Sequence, residues 1–467
     1  MAPDRLSPLD ASFLHVEDDV SHMHIGSVAV FEGPQPPFAD LVQMVESKLD
    51  LVPRYREKVR FVPLELGRPV WVDDEHFNLE YHLRHTALPA PGGVTELRKL
   101  VGRVMSQQLD RARPLWEIWV VEGLEDGRWA MVAKTHHALV DGVSGTDLLA
   151  VIMDQSPDAE RPAEPSAWTP RPAPSGLQLM VDALENVIRS PYEQMRAFRA
   201  QTRVVRRLFG YATEVASGLV SMGGLVRPTP LSSLNGPIGP HRRYAWASTS
   251  VDDIKQVRHA LGGTFNDVVL ASITNGFREL LLSRDEDVER VVRTLVPVSV
   301  RPRDASGKAV GDGTYENRVS AMFAELPIEL EDPVLRLHTI SEQMKDLKES
   351  KQALAGEALT SMSGFAPPML LALGMRIASR AGQRNVNTVT TNVPGPQFPL
   401  YAAGRRMLRA FPYVPLAGQV RFGVAIFSYD GEVNFGITGD YDSTADIDVL
   451  AGGIEDGMTQ MLKASGA

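Results

Sequence analysis

The 467-residue sequence contains no cysteine, so disulfide bonds, thiolate catalysis and zinc sites built from cysteine are excluded. A G-x-S-x-G nucleophile elbow is also missing, and the nearest string, G-V-S-G-T at 142–146, does not fit it. No apolar run reaches the roughly 20 residues that a membrane-spanning helix needs. The start of the chain lacks the charged-then-apolar pattern of a secretion signal. We therefore expect a cytoplasmic protein, or one that lies on a membrane without crossing it.

Positive charge is in deficit, with 48 Lys and Arg against 58 Asp and Glu and a net charge of −10. This balance argues against nucleic acid as the main partner. The length accommodates two domains of roughly 200 residues each. Repeated prolines between residues 156 and 176 indicate a linker. We predict an N-terminal domain over 1–155, a linker with a helical segment over 156–240, and a C-terminal domain over 241–467.

The string K-T-H-H-A-L-V-D-G-V-S-G-T at 134–146 is the main candidate for a catalytic site. A strand-like run precedes it and a helix-like run follows, so His136 and His137 lie where a strand gives way to a turn. A neutral imidazole suits proton abstraction near pH 7. Asp141 can orient such a base or fix the turn, and Gly142 permits a backbone that a larger residue would resist.

Two other interpretations of the histidine pair are open from the residues alone. Local hydrogen bonds can satisfy both imidazoles without any catalytic role. A metal site is less favoured, because adjacent residues rarely both point at one ion and no Glu-x-x-His or cysteine partner lies near.

The stretch 177–225 combines apolar residues at helical spacing with a cluster of arginines near 196–207. A basic amphipathic helix in an acidic protein is typical of an element that lies on a membrane surface. The alternative is that its apolar face packs on the body of the protein and the arginines face water.

Both halves alternate between strand-like and helical patterns, which predicts a mixed α/β fold. Thr264 is the expected N-cap of a helix from Asn266 to Ser283. Asp430 and Gly431 give the best hairpin signal, between strands at 419–429 and 432–440. The Met- and Leu-rich run 365–377 is either a core helix or the lining of an apolar tunnel.

The H-H-x-x-x-D-G signature at 136–142 resembles that of the bacterial wax ester synthase/diacylglycerol acyltransferase family. That family is part of the wider chloramphenicol acetyltransferase-like superfamily. Further matches run through nearly the whole chain in family order. They are L-S-P-L-D-A-S-F-L at 6–14, R-P-L-W-E at 113–117, F-N-D-V-V-L at 265–270, V-P-V-S-V-R at 296–301, E-N-R-V-S at 316–320 and T-N-V-P-G-P at 391–396.

The resemblance implies roles for the signature residues. His137 is expected to be the general base, and His136 to support it. Asp141 either orients His137 or pairs with an arginine that holds the loop. Arg301 is the candidate partner and Arg318 the second choice, and such a pair would tie the two domains together.

The resemblance also implies two chloramphenicol acetyltransferase-like domains and a substrate-binding region shaped by Gly142, Pro114, Leu115 and Trp116. Packing in the core is the alternative for Trp116. Asn266 is a candidate oxyanion donor, although capping a helix explains it equally well from the sequence. No metal or tightly bound cofactor is implied, and acyl-coenzyme A is a co-substrate.

The function implied is formation of triacylglycerol from diacylglycerol and long-chain acyl-coenzyme A, by direct transfer. Wax ester synthesis from a long-chain alcohol is the alternative, because the signature handles the hydroxyl and the thioester but not the acceptor's tail. Such substrates suggest a protein held at the inner membrane face or at lipid droplets. A non-catalytic lipid-surface protein and a condensing enzyme that uses carrier-bound acyl groups are less favoured, and the sequence does not reveal the oligomeric state.

Overall fold

The structure is a computed structural model that describes residues 4–139, 151–159, 168–189, 232–299, 319–349 and 386–466. Within these ranges the chain forms two six-stranded sheets and one sheet of three short strands. The mixed α/β class expected from the sequence is confirmed. The helices are α1 Pro8–Val16, α2 Phe38–Lys48, α3 Leu79–His82, α4 Val94–Met105, α5 Gly176–Arg189, α6 Val251–Leu261, α7 Phe265–Ser283, α8 Pro333–Glu349 and α9 Ile447–Ala464.

The strands range from two to nine residues in length. They are β1 Asp4–Arg5, β2 His24–Phe31, β3 Glu57–Arg60, β4 Val70–Asp73, β5 Leu83–Ala87, β6 Trp116–Glu122, β7 Trp129–His136, β8 Arg242–Ser250, β9 Val292–Ser299, β10 Val319–Leu326, β11 Thr388–Pro394, β12 Tyr401–Ala402, β13 Arg405–Tyr413, β14 Phe422–Tyr429 and β15 Glu432–Asp440.

The N-terminal sheet has the strand order β12-β13-β2-β7-β6-β5. Strand β7 is buried along its whole length, because side chains cover both faces of the sheet. Met131 and Ala133 belong to the core on one face, and Ala130 and Val132 to the core on the other. This two-sided burial holds the end of β7, where the histidines lie, in a fixed position.

One strand of this sheet comes from far along the chain. β13 pairs antiparallel with β2 and places Tyr413 opposite Gly26. Residues 401–413 therefore hydrogen-bond within the N-terminal sheet, although the sequence-based boundaries assign them to the C-terminal domain. The domain boundaries near residues 155 and 241 stay predictions. The sequence-based division did not include the insertion of residues 401–413 into the N-terminal sheet.

The C-terminal sheet has the order β10-β9-β11-β14-β15-β8. Val424, Ile426 and Phe435 share one apolar core with α7 and α9. The alternate side chains of β14, Phe427 and Tyr429, pack instead with the core of the N-terminal sheet. The β14–β15 hairpin turns at Asp430 and Gly431, whose φ angles of 46° and 87° fit the predicted tight turn.

The small sheet β1-β4-β3 is covered by α5. The helix predicted from residue 177 is confirmed over Gly176–Arg189. Its Leu179 and Ala183 are buried against the small sheet. Leu177 and Val181, half a turn away, are 72% and 46% exposed. The arginine-rich part of the predicted segment lies outside the described residues, as does the run 365–377.

Candidate active site

The strand-to-turn junction predicted for the histidine pair is confirmed. β7 ends at His136, and a single 3-10 turn begins at His137. The amide of His136 donates to the carbonyl of Leu115 at 2.9 Å, and the amide of His137 donates to the carbonyl of Met23 at 2.8 Å. Two separate chain segments therefore fix the backbone of the pair.

His136 is 1% exposed, and the surroundings of its two ring nitrogens define its tautomer. Nδ1 lies 3.1 Å from the backbone N–H of Ala138, which can only donate, so Nδ1 accepts and the proton is on Nε2. Nε2 lies 3.5 Å from the carboxylate of Glu17. A base needs an available lone pair facing its substrate, and the lone pair of His136 is already occupied. This geometry fits the supporting role predicted for His136.

His137 has a different environment. Its side chain is half-buried, and its ring stacks on Phe13 with centroids 3.9 Å apart and an angle of 22° between the planes. The hydrogen bond to Met23 fixes the backbone of His137, and the stacking on Phe13 fixes its ring. Of the two histidines, His137 is the one whose side chain reaches the surface of the junction.

Glu17 is a buried carboxylate that contacts both His136 and His24 beneath the junction. Its side chain is 3% exposed and accepts from Arg111 Nη2 at 2.6 Å and from the amide of Met23 at 3.2 Å. His24 Nε2 lies 3.3 Å away. Burial opposes ionisation of Glu17, but the hydrogen bonds with His136 and His24 outweigh it and hold the pKa of the carboxyl well below its usual range.

His24 stays neutral in this network. Burial lowers its pKa to about 3, against the opposing effect of the hydrogen bond that Glu17 accepts from it. The sequence reasoning missed Glu17, His24 and Arg111 as site residues. For Glu17 the available signal was its position just after the motif at 6–14. His24 stands opposite His136 in the strand pairing, which the sequence does not show.

Lys134, the first residue of the signature string, is fully buried. Its Nζ donates to the carbonyl of Val104 at 3.1 Å and to that of Gln107. The first of these carbonyls belongs to the last turn of α4 and the second to the turn that follows it. Burial lowers the pKa of Lys134 to about 8. Lys134 therefore joins β7 to α4 two residues before the histidines.

Pro114, Leu115 and Trp116, predicted to shape the substrate region, are all buried. Leu115 reaches the site through its carbonyl, which accepts from His136. The indole of Trp116 donates to the carbonyl of Tyr55 at 2.8 Å and stacks on His82 at 4.6 Å. In the described part of the chain, these residues support the backbone of the histidine pair and pack in the core.

Asn266 lies in the first turn of α7, whose N-cap is Thr264 as predicted. Its amide oxygen accepts from Asn392 Nδ2 at 2.7 Å, and both residues line a cavity of about 370 Å³ together with Gln397 and Ser428. Asn392 is in register with Ile426, which faces α7 rather than the N-terminal sheet.

The position of Asn266 bears on its predicted oxyanion role. The side chain is exposed, and the contacts among described residues join it to Asn392 and not to His136 or His137. A donor for an oxyanion acts best in a site from which water is excluded. The oxyanion role stays a prediction, while the helix-start position is observed.

Four predicted site residues lie outside the described residues: Asp141, Gly142, Arg301 and Arg318. The expected pairing of Asp141 with an arginine therefore stays a prediction. Within the described ranges, no group of three or more histidine or acidic side chains is arranged to hold a metal ion. In the same ranges, no helix combines the length and the hydropathy needed to cross a bilayer.

Two linked mixed sheets with a histidine pair at the end of a buried strand, matched by an acyltransferase family model, make this chain an acyltransferase of mixed α/β fold. Residues 6–269 match the family model of the wax ester synthase/diacylglycerol acyltransferase catalytic domain, and residues 315–462 match that of the C-terminal domain of the same family. The chain belongs to the wax ester synthase/diacylglycerol acyltransferase family.

Individual relatives agree with this assignment. The chain is 37% identical over 469 residues to the probable diacylglycerol O-acyltransferase tgs1 of Mycobacterium tuberculosis, covering 98% of this chain and 96% of the relative. The solved wax ester synthase/diacylglycerol acyltransferase of Marinobacter aquaeolei VT8 is 27% identical with a TM-score of 0.68, over 99% and 100% of the two chains. The first condensation domain of the calcium-dependent antibiotic synthetase matches in fold alone, at 14% identity and a TM-score of 0.58, over 99% and 96% of the chains.

Proposed function

We propose that the protein makes triacylglycerol by transferring a long-chain acyl group from acyl-coenzyme A to the free hydroxyl of diacylglycerol. The observation that carries the proposal is the difference between the two histidines. His136 is buried and its Nδ1 lone pair accepts a hydrogen bond, whereas the side chain of His137 reaches the surface. Relatives that are 37% identical over nearly the whole chain and carry the name diacylglycerol O-acyltransferase support the choice of acceptor.

In the proposed reaction His137 is the general base. It takes the proton of the acceptor hydroxyl, and the alkoxide oxygen attacks the thioester carbonyl carbon of acyl-coenzyme A. The tetrahedral intermediate then collapses, the carbon–sulfur bond breaks, and the imidazolium of His137 returns the proton to the departing sulfur. An ester and free coenzyme A result. No acyl-enzyme is required, in keeping with a sequence that has no cysteine and no nucleophile elbow.

The proposed substrates suggest where the enzyme works. Diacylglycerol carries two acyl chains and resides in membranes or lipid droplets, so we propose peripheral attachment to such a surface on the cytoplasmic side. The exposed Leu177 and Val181 of α5 support this, because they form an apolar stripe on the side of the helix away from the buried Leu179 and Ala183.

Labelled palmitoyl-coenzyme A tests the reaction, with dioleoylglycerol and hexadecanol supplied in parallel. We expect triacylglycerol from the wild type, and a loss of about 10² to 10⁴ in rate for His137→Ala, which is the range for removing a general base. His259→Ala is the matched control, since His259 is exposed on α6 and should leave the rate unchanged. Hexadecyl palmitate as the main product would instead establish the wax ester alternative. No ester from the wild type, or an unimpaired folded His137→Ala variant, would refute the proposal.

A further inference from the structure

A short loop, residues 18–23, supports the backbone of His137 and contacts both halves of the protein. Asp18 Oδ1 accepts from the amides of Val20 and Ser21 at 3.1 and 2.7 Å, so the loop has a defined turn of its own. At its far end, the carbonyl of Met23 receives the amide of His137. A displacement of this loop therefore moves the backbone of the proposed base.

The C-terminal half contacts this loop through Arg242, the first residue of β8. The side chain of Arg242 is buried, and the whole residue is only 3% exposed. Its Nη2 donates to the carbonyl of Val20, while Nη1 donates to the carbonyls of Gly239 and His241. The rigid fork of a guanidinium fixes several acceptors in one geometry, which an ammonium does not.

A second contact holds the loop on the same side. The amide of Gly418, also from the C-terminal half, donates to Ser21 Oγ at 3.3 Å. The amide of Arg242 itself donates to Ser106 Oγ at 2.8 Å, next to the end of α4. The loop is therefore held from the C-terminal half at two successive residues, Val20 and Ser21, which lie four and three residues before His24.

We propose that Arg242 is a positioning residue for the acyl transfer: it sets the place of His137 from the other half of the protein, through Val20 and Met23. The inference rests on the proposed function of His137. Arg242 touches the loop and not the reacting groups, so its removal should change the rate of the chemical step more than the binding of acyl-coenzyme A. Misplacing a catalytic group by about 1 Å is enough to cost about a hundredfold in rate.

Arg98 provides a matched control, because it also bridges the two halves. It lies on α4 and donates to the carbonyl of Trp246 at 2.9 Å and to Asp448 at 2.8 Å. Its guanidinium also covers the ring of Trp246 at 4.4 Å. Its described contacts do not include the loop 18–23. Loss of Arg98 therefore weakens the contact between the halves without releasing the support of His137.

The experiment compares Arg242→Met, Arg242→Lys and Arg98→Met with the wild type. For Arg242→Met we expect kcat to fall by roughly tenfold to a hundredfold, with KM for palmitoyl-coenzyme A changed by less than about threefold. Arg242→Lys should recover part of kcat, since an ammonium can still reach one carbonyl. Arg98→Met should lower Tm and leave kcat within about twofold of the wild type.

Amide hydrogen exchange of the peptide 17–24 supplies a readout that does not depend on activity. It should speed up in Arg242→Met and Arg242→Lys and stay unchanged in Arg98→Met. Equal kcat losses in Arg242→Met and Arg98→Met, or unchanged exchange in both Arg242 variants, would overturn the inference. An inactive wild type with faster exchange in the Arg242 variants would defeat the proposed function and leave the support of the loop by Arg242 established. If Arg242→Met does not fold, the same comparison with Arg242→Lys decides.

Discussion

The buried His82 predicts a specific loss of stability in mild acid. His82 is 1% exposed, and its Nδ1 donates to the carbonyl of Trp116 at 2.8 Å. Its ring is stacked between Phe77 at 5.3 Å and Trp116 at 4.6 Å. Burial lowers its pKa to about 4, and the hydrogen bond to Trp116 only partly offsets this. The folded protein therefore keeps this imidazole neutral where the unfolded chain protonates it.

The sign and size follow from proton binding. The unfolded histidine has a pKa of about 6.5, so between pH 6.5 and pH 4 the unfolded state binds more protons and stability falls as pH falls. Each pH unit costs about 1.4 kcal/mol. At pH 5.0, which is 1.5 units below 6.5, His82 alone should lower the free energy of unfolding by about 2 kcal/mol.

The assay is denaturant unfolding of the wild type and of His82→Asn at pH 7.5 and pH 5.0. Asparagine places an amide N–H near the position of Nδ1 and does not titrate. The difference between the two proteins should shift by about 2 kcal/mol in favour of the variant on going to pH 5.0. His24, which is also buried and neutral, contributes to both proteins and cancels. A wild type and a variant that lose the same stability between the two pH values would refute the reasoning.

Two further predictions concern Lys134 and α5. The pKa of Lys134 is about 8 in the folded protein, below the value of an unfolded lysine. The free energy of unfolding of the wild type should therefore rise from pH 8 to pH 10. A Lys134→Met variant that shows the same rise would contradict this. Replacing Leu177 and Val181 by serine should reduce flotation with anionic phospholipid vesicles containing diacylglycerol, while Leu335→Ser, at an exposed site on α8, should not. Equal flotation of all three proteins would remove α5 from the proposed membrane contact.

Elements with strong local signals were predictable from the sequence. The helix Phe265–Ser283 begins within one residue of its expected start and the strand Glu432–Asp440 has the expected ends, because a capping threonine and a tight turn mark them locally. The junction at His136 was predictable for the same reason, since a buried strand stops there. The helix α1 was not anticipated, although Ser7 caps it and a proline opens it.

The supports of the site were not predictable, because they depend on contacts between distant segments. Arg111 and Glu17 are separated by 94 residues, and Arg242 and Val20 by 222. A single sequence shows that such residues are charged and does not show which of them meet. Asn266 is a mixed case. Its place at the start of a helix was predicted correctly, but its hydrogen bond with Asn392 was not predicted.

The entry of β13 into the N-terminal sheet has a consequence during synthesis. Glu32, at the end of β2, and Arg406 meet across 374 residues of sequence. At the usual 5–20 residues per second, a ribosome needs roughly 20 to 75 s to make that stretch. Throughout this interval the edge of β2 that pairs with β13 has no partner, and an unpaired edge is a template for wrong pairing. Nascent chains of this protein are therefore expected to need a chaperone until residue 413 emerges, and fragments that stop before it should aggregate.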